Sequence, residues 1–298
     1  MTAPADNATV SSTITVTANA ADDRGLANVQ FKLDGANLGA ADTSAPYSLS
    51  WDTRTASNGA HTLTAVARDS DANTTTSAPV RVTVDNVVVA PPGLVAAYGF
   101  DETSGTTTAD SSGNALTGTL SGAVRNTGGK FGGALSFDGV NDWVTVNDAA
   151  PLHLTTGMTL EAWVRPTALT GWRTVIIKEQ AADLAYALYA NTGANWPTGN
   201  VFTGAEEEAR GTAQVALNTW THLAATYDGA TLRLYVNGTQ VATRAVTGAL
   251  ASSTRALRFG GNAIWSEWFK GLLDEVRVYN RALTAAEVQS DMATPVKP

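Results

Sequence analysis

The chain has 298 residues, of which 44% are hydrophobic and 15% charged, and its formal net charge at pH 7 is -8. Because a nucleic-acid surface requires clustered Lys and Arg, and the 19 basic residues are spread along this acidic chain, the composition excludes nucleic acid as a partner. The absence of cysteine excludes thiolate metal sites, Cys nucleophiles and disulfides, and no apolar run reaches the roughly 18–20 residues needed for membrane insertion.

Residues 8–85 predict a β-sandwich. Apolar and polar residues alternate there with a period of two, and turn residues such as Asp34-Gly35 separate the runs. The predicted strands are 13–18, 29–33, 36–38, 47–51, 61–67 and 80–84. Several short strands over about 80 residues are typical of an immunoglobulin-like sandwich.

Several motifs in this region are shared with one family. They are Leu33-Asp-Gly35, Ala45-Pro-Tyr47 leading to Trp51-Asp52, and Asn58-Gly-Ala-His-Thr-Leu63. On these motifs, the region resembles the bacterial immunoglobulin-like repeats of secreted carbohydrate-active proteins. The resemblance implies an immunoglobulin-like domain over residues 1–86 that acts as a spacer or an adhesive module.

A short linker follows this domain. The segment 87–93 contains Pro91-Pro92, and consecutive prolines favour an extended, semi-rigid geometry. We therefore predict that residues 87–93 form a Pro-rich linker and that a second domain spans 94–298.

The second domain is again rich in predicted strands, which are 94–100, 134–137, 143–146, 158–164, 174–177, 185–189, 221–227, 232–236, 257–259 and 273–279. Asn237-Gly238 predicts a tight hairpin turn, because Asn and Gly accept positive φ. A single helix is predicted near the end, where Thr284 and Glu287 have the spacing of a capping box. So many strands in about 200 residues indicate a two-sheet jelly roll, and hence an all-β chain.

A series of motifs runs along this domain in one order. It comprises Tyr98-Gly-Phe-Asp-Glu102, Phe131-Gly-Gly-Ala-Leu-Ser-Phe-Asp-Gly139, Asp142-Trp-Val-Thr-Val146, Leu160-Glu-Ala-Trp-Val-Arg-Pro166, Leu234-Tyr-Val-Asn-Gly238 and Gly271-Leu-Leu-Asp-Glu-Val-Arg-Val-Tyr279. With this series, the domain resembles the LamG-like jelly rolls of the concanavalin A-like lectin/glucanase superfamily. The resemblance implies a mostly non-enzymatic role in recognition and adhesion, often with bound calcium.

A structural calcium site is expected mainly from that resemblance. Calcium prefers carboxylate, amide and carbonyl oxygens, and the loop from Asp110 to Asn114 is rich in them. The fold implied by the resemblance brings Asp274, and Asp101 as a further ligand, towards this loop. The alternative is a turn whose side chains bond only their own backbone.

Tryptophans in predicted loops are candidates for sugar binding, because a sugar presents apolar C–H faces to an aromatic ring and hydroxyls to polar side chains. The predicted ligand-binding residues are Trp172, Arg173, Lys178, Tyr189, Trp196, Arg210, Trp265 and Trp268. The acidic run Glu206–Glu208 is a further source of polar contacts or, alternatively, a solvated loop. Trp143, Trp163 and Trp220 lie in strand motifs and are expected in the core. The alternative for each loop tryptophan is packing over an edge of the sandwich.

No catalytic residues are predicted. Glucanases of the resembled superfamily place carboxylates as Glu-x-Asp-x-x-Glu on one strand, and the sequence has no such motif. The three histidines, at positions 61, 153 and 222, form no recognisable Ser-His-Asp grouping. The chain is therefore predicted not to be an enzyme.

The leading hypothesis is a non-catalytic, lectin-like carbohydrate-binding module on an immunoglobulin-like spacer. We expect it to be a monomeric part of a larger secreted or cell-surface bacterial protein, with a poly- or oligosaccharide as its partner. Two alternatives stay open: an adhesion module that binds a protein or cell surface, and a glycosidase or lyase of the same fold.

Overall fold

The computed structural model describes residues 1–23, 25–86 and 90–297. By its internal contacts, the chain divides into two compact units, residues 1–89 and 90–298. Residues 87–89 of the predicted linker lie outside the described residues, so the linker stays a prediction. No described helix has the length and apolar character needed to cross a membrane.

The first unit is a small β-sandwich, as the sequence predicts. Its strands are β1 Ala8–Val10, β2 Thr13–Ala18, β3 Leu26–Leu33, β4 Ala36–Asn37, β5 Tyr47–Asp52, β6 Gly59–Asp69, β7 Thr74–Thr76 and β8 Val80–Val84. One sheet has the order β1-β8-β6-β3-β4 with β7 on β6, and β2 pairs with β5 in the other. Val16, Phe31, Trp51 and Leu63 are buried between the sheets. Their burial follows the period-two pattern of the strands.

The second unit contains sixteen strands. They are β9 Leu94–Tyr98, β10 Thr107–Thr108, β11 Gly118–Ser121, β12 Val124–Asn126, β13 Ala134–Asp138, β14 Trp143–Val146, β15 Met158–Pro166, β16 Arg173–Glu179, β17 Leu184–Asn191, β18 Thr198–Phe202, β19 Glu206–Arg210, β20 Thr221–Tyr227, β21 Thr231–Val236, β22 Thr239–Ala245, β23 Leu257–Phe259 and β24 Lys270–Tyr279. Short 3₁₀ turns occur at Thr53–Thr55 in the first unit and Ala150–Leu152 in the second. The all-β prediction is confirmed.

Two large antiparallel sheets form this unit. The front sheet has the order β10-β11-β14-β23-β16-β17-β18-β19, and the back sheet has the order β12-β13-β24-β15-β20-β21-β22 with β9 on β24. Between them lies one apolar core, which includes Val144, Ile176 and Leu188 from the front sheet and Leu160 and Leu223 from the back sheet. This is the two-sheet jelly roll predicted from the sequence.

A single α-helix, α1 Ala285–Ala293, is present among the described residues. The Thr284 side chain accepts from the Glu287 N–H and the Glu287 carboxylate accepts from the Thr284 N–H, so the predicted capping box is confirmed. Val288 of the helix packs with Tyr279 and other residues on the outer face of the back sheet. The helix therefore covers part of that face.

The outer face of the front sheet is identified by the alternation along β18. A Cβ placed on Gly199 would lie 2.5 Å from the Cβ of Ala225 in the back sheet, so Gly199 faces the core. Val201 also belongs to the core. Because side chains alternate along a strand, Thr198, Asn200 and Phe202 face outwards.

Candidate functional site

An apolar floor lies on the outer face of the front sheet. Ile177, Ala187 and Tyr189 form a cluster separate from the main core, with Trp172 and Phe202 packed against it. The Trp172 and Tyr189 rings meet edge to face, with centroids 5.0 Å apart and planes at 77°. Tyr189 is buried, whereas Trp172 stays half-buried. One aromatic ring is therefore presented to solvent above an apolar floor.

A second aromatic group lies on the same sheet. The rings of Trp143 and Trp268 are 5.0 Å apart, and the Arg258 guanidinium lies 3.9 Å from the centroid of the Trp143 ring. Arg258 also pairs with Glu179 at 3.0 Å. The expectation that Trp143 is a core residue is wrong: its neighbour Val144 faces the core, so Trp143 faces outwards and is half-buried.

The loop between β23 and β24 is held down by buried polar side chains. Asn262 is fully buried, and its Nδ2 donates to Thr174 Oγ1 at 2.9 Å and to Glu267 Oε2 at 2.8 Å. The backbone N–H of Ala263 donates to Glu179 Oε1 at 2.7 Å. These bonds fix the carboxylate of Glu267 over the outer face.

An acidic group surrounds Tyr189. Asn200 Nδ2 donates to Glu206 Oε1 at 2.7 Å. Burial, then the nearby charge of Asp183, raises the pKa of Glu206 above its usual 4.5. Burial, then the charge of Glu206, likewise raises the pKa of Glu267. Burial raises the pKa of the Tyr189 hydroxyl, and the nearby charges of Glu267, Glu206 and Asp183 raise it further.

The structure brings several predicted ligand-binding residues together. Trp172, Tyr189 and Trp268 belong to the two aromatic groups, and Arg173 Nη1 donates to the Trp268 carbonyl at 2.6 Å. Arg210 is on the outward face of β19 and pairs with Glu208. The segment 206–210 is thus an edge strand rather than a solvated loop.

The two loop tryptophans are exposed. Trp196, in the β17–β18 loop, is 37% exposed and Trp265, in the β23–β24 loop, is 41% exposed. Each is thus partly covered and partly accessible, and its role in sugar binding stays a prediction. The Trp196 loop follows β17, which carries Tyr189, and the Trp265 loop also carries Asn262.

Lys178 is not available as a predicted ligand-binding residue. Its side chain is 0% exposed, and Nζ donates to Asp148 Oδ1 and to the Arg255 carbonyl, each at 2.5 Å. A buried ammonium needs such partners, because an unpaired buried charge is costly. Lys178 therefore stabilises the fold rather than the site.

Sequence reasoning missed much of the polar lining of the site, namely Glu179, Asn200, Arg258, Asn262 and Glu267. The alternation in Leu257-Arg-Phe259 indicates that Arg258 faces away from the core, and that signal was available. No local pattern distinguishes Asn262 or Glu267 from ordinary loop residues.

The four predicted calcium ligands do not form one centre. The Asp110 carboxylate accepts from the N–H groups of Ala97, Ser112 and Leu116, and Asn114 Nδ2 donates to the Val95 carbonyl. No group of three or more acidic, His or Cys side chains in the described ranges is arranged to hold a metal. Asp110 and Asn114 thus bond the backbone of β9 as well as that of their own turn.

The other two predicted calcium ligands are held by a different loop. Asp274 Oδ2 accepts from the N–H groups of Lys130 and Phe131 at 2.7 and 3.1 Å, and Asp101 Oδ1 accepts from the Gly133 N–H at 2.6 Å. Backbone donors therefore already satisfy these carboxylates. The residues do not fit a four-ligand calcium site, and calcium binding stays a prediction.

Comparisons with known proteins agree with both halves of the fold. The sequence profile of the concanavalin A-like lectin/glucanases superfamily matches residues 138–289, about half of the chain. The profile of a bacterial Ig domain matches residues 1–65. These matches confirm the two resemblances drawn from the motifs.

Among curated relatives, pappalysin-1 of Mus musculus is 40% identical over 80 residues, which are 25% of this chain and 5% of the relative. Human pappalysin-1 is 38% identical over the same length. The chain thus spans only a small part of these relatives.

One similar solved structure is domain 4 of AbnA, a GH43 extracellular arabinanase from Geobacillus stearothermophilus, in complex with arabinotriose. Its TM-score is 0.51 and its sequence identity is 24%, and the match covers 67% of this chain and 98% of that chain. The binding domain of Paraclostridial Mosquitocidal Protein 1 has a TM-score of 0.55 and 16% identity, covering 67% and 52%. The binding domain of botulinum neurotoxin DC, in complex with rat synaptotagmin II, has a TM-score of 0.52 and 13% identity, covering 67% and 51%. At these identities, the likeness shows the shared fold.

Proposed function

The chain belongs to the concanavalin A-like lectin/glucanase superfamily, and from this membership we propose that its second unit is a non-catalytic carbohydrate-binding module. The sugar binds on the outer face of the front sheet. The observation that carries the proposal is the half-buried Trp172 ring above an apolar floor, on the same face as the buried amide of Asn200 and the Glu206 carboxylate that this amide binds. This combination matches the apolar faces and the hydroxyl rim of a sugar ring.

Each part of the site has a distinct task in this proposal. Trp172 stacks against the C–H face of one sugar unit, held in orientation by its edge contact with Tyr189. Glu206 and Glu267 accept hydrogen bonds from sugar hydroxyls, and such charge-assisted bonds are the stronger kind. Trp268, with Trp143 behind it, offers a second platform further along the sheet. An extended glycan lying across the sheet from β14 to β18 would contact these elements in turn.

The assignment as a binding module draws support from the solved structures of similar fold, most of which are binding domains of larger proteins. One of them, the arabinanase domain, was solved with arabinotriose. The first unit serves as a spacer, and the protein acts outside the cell, either secreted or at the cell surface. The polypeptide binds its glycan without transforming it.

A protein partner is the second candidate. The observation that favours it is the exposure of Trp196 and Trp265 on two loops, because exposed aromatic residues are enriched at protein interfaces. One structure of similar fold was solved with a protein, synaptotagmin II. A partner of this kind would bind the loop tips rather than the sheet face.

A binding screen separates the two candidates. The full chain is tested by calorimetry against a panel of neutral, acidic and amino polysaccharides, together with the variants Trp172→Ala and Trp220→Ala. Trp220 directly precedes β20 of the back sheet and serves as the control. Loss of a central aromatic contact costs about 2 kcal/mol or more, so Trp172→Ala should weaken glycan binding about 30-fold.

The outcomes lead to different conclusions. Binding that is weakened by Trp172→Ala and unchanged by Trp220→Ala supports a glycan site on the front sheet. Glycan binding that survives Trp172→Ala places the site elsewhere on the unit. A panel with no bound glycan, while the protein is folded, contradicts the carbohydrate proposal and favours the protein partner.

A further inference from the structure

We propose that the front-sheet site selects a sugar that carries a free ammonium group over neutral and acidic sugars. This inference rests on the proposed function and names its ligand class. The ammonium would bind between Glu206 and Glu267, beside the ring of Tyr189. Four features of the described residues support it: unpaired negative charge, unpartnered acceptors, an aromatic face and the placement of the arginines.

The first feature is a surplus of negative charge at one end of the site. Glu206 bonds the neutral amide of Asn200, and Glu267 bonds the neutral amide of Asn262. Within the part of the chain that the structure describes, neither carboxylate has an ion pair. The charge of Asp183 also reaches Glu206. Like charges at short range disfavour one another, and a cation placed between them relieves that repulsion.

The arginines of the same face are already occupied. Arg258 pairs with Glu179, and Arg210 pairs with Glu208. Arg173 donates from Nη1 to the Trp268 carbonyl and from Nη2 to Thr170 Oγ1. Among the described residues, none of these three arginines pairs with Glu206 or Glu267, so a cationic ligand would supply the compensating charge.

A further feature is a pair of buried polar side chains that have atoms without hydrogen-bond partners. Asn200 is 1% exposed and Thr198 is 0% exposed, and neither Asn200 Oδ1 nor Thr198 Oγ1 has a hydrogen-bond partner. Both side chains face outwards from β18, and Thr198 lies directly opposite Tyr189 of β17. Buried acceptors without donors are costly. A ligand that brings several N–H donors would satisfy them.

An ammonium group matches this set better than the other groups that sugars carry. It has three donors, no acceptor and a positive charge, as in a lysine side chain. A hydroxyl supplies one donor and no charge, and the carboxylate of a uronic acid would be repelled by Glu206 and Glu267. The half-buried Trp172 adds a cation–π surface at the same place.

The test compares four soluble oligosaccharides of equal length at pH 6. They are oligomers of glucosamine with free amines, N-acetylglucosamine, glucose and galacturonic acid. Calorimetry with the full chain should give at least tenfold tighter binding of the glucosamine oligomer, because hydrogen bonds to charged groups are about twice as strong as neutral ones. A lysine-rich peptide is included to represent a cationic protein.

Two isosteric variants and one control test whether Glu206 and Glu267 cause the preference for the ammonium-bearing sugar. Glu206→Gln and Glu267→Gln remove the charge while keeping the shape, and each should reduce the preference to about threefold or less. Glu207→Gln is the matched control: Glu207 lies on the same strand but points the other way, where it accepts from Arg244 Nε at 2.6 Å. This control should keep the preference of the unaltered protein.

Failure of this inference is distinguishable from failure of the proposed function. Equal binding of the glucosamine, N-acetylglucosamine and glucose oligomers overturns the ammonium selectivity and leaves the carbohydrate module intact. A preference that persists in both Gln variants overturns the assigned position. Binding of the lysine-rich peptide alone, or of no oligosaccharide, overturns both proposals.

Discussion

Two buried titratable side chains lie on the outer face of the back sheet, and they allow a specific prediction of how the free energy of unfolding depends on pH. Glu161 and His222 are both 0% exposed, and none of their side-chain oxygen or nitrogen atoms has a hydrogen-bond partner. Burial, followed by the charge of Asp291, raises the pKa of Glu161 well above 4.5. Burial, followed by the positive charge of Arg277, lowers the pKa of His222 from 6.5 to about 3.

Between pH 4.5 and 6.5 these two groups act in opposite directions. His222 stays neutral in the folded chain but binds a proton when unfolded, so its contribution to stability is lost as the pH falls. Glu161 keeps its proton in the folded chain but loses it when unfolded, so its contribution is lost as the pH rises. The limiting slope for one proton is about 1.4 kcal/mol per pH unit, and the two groups contribute slopes of opposite sign.

Substituting either residue alone should therefore change the pH dependence of the unfolding free energy, and the two changes should have opposite signs. Relative to the unaltered protein, His222→Leu should gain about 2 kcal/mol of unfolding free energy as the pH is lowered from 6.5 to 4.5. Glu161→Met should change in the opposite direction, losing unfolding free energy relative to the unaltered protein over the same decrease. Thr226→Val changes a buried but non-titrating side chain of the same face, so its effect should be a constant offset.

Guanidinium unfolding followed by tryptophan fluorescence measures this effect, because seven of the eight tryptophans lie in the second unit. Curves are collected at about pH 4.5, 5.5 and 6.5. If both variants run parallel to the unaltered protein across this range, the two groups are not held neutral by burial and the reasoning is wrong.

Three further results are expected. Trp163→Phe removes the hydrogen bond from Nε1 to the Met292 carbonyl, which is 3.2 Å long. The free energy of unfolding should fall by about 1 kcal/mol, and amide exchange in α1 should become faster. Unchanged exchange would show that this bond does not hold the helix. Gly260→Ala would place a Cβ 2.1 Å from the Phe137 ring, at a backbone φ of +80°. Thermal unfolding should show a loss of stability of more than about 2 kcal/mol. An unchanged stability would contradict this packing. Chelation should leave the melting temperature unchanged, because backbone N–H groups already satisfy Asp274 and Asp110, while a calcium-dependent increase would restore the predicted calcium site.

The sequence alone determined the fold class and the position of the only predicted helix. Alternation with a period of two, and turn pairs such as Asn237-Gly238, are short-range signals that survive in any strand-rich fold. The capping box at Thr284 and Glu287 is equally local, and the structure contains it. The motif series also led to the superfamily that the profile match establishes.

Which side of β16 and β17 faces the core was decided only by the tertiary structure. Ile177, Ala187 and Tyr189 face outwards yet are as buried as core residues, so both faces of β16 and β17 are largely apolar. A period of two cannot distinguish two apolar faces. Lys178 of β16 faces inwards and Trp143 of β14 faces outwards, each opposite to the side that its residue type favours.

The polar part of the site also depends on pairings between distant segments. Glu206 of β19 and Glu267 of the β23–β24 loop are far apart in sequence. They lie on one face because β23, β16, β17, β18 and β19 are successive neighbours in the front sheet. No local signal encodes such an order, since it follows from how the whole sheet closes over its core. Sequence therefore determined which strands exist, and sheet assembly decided which of their side chains share one surface.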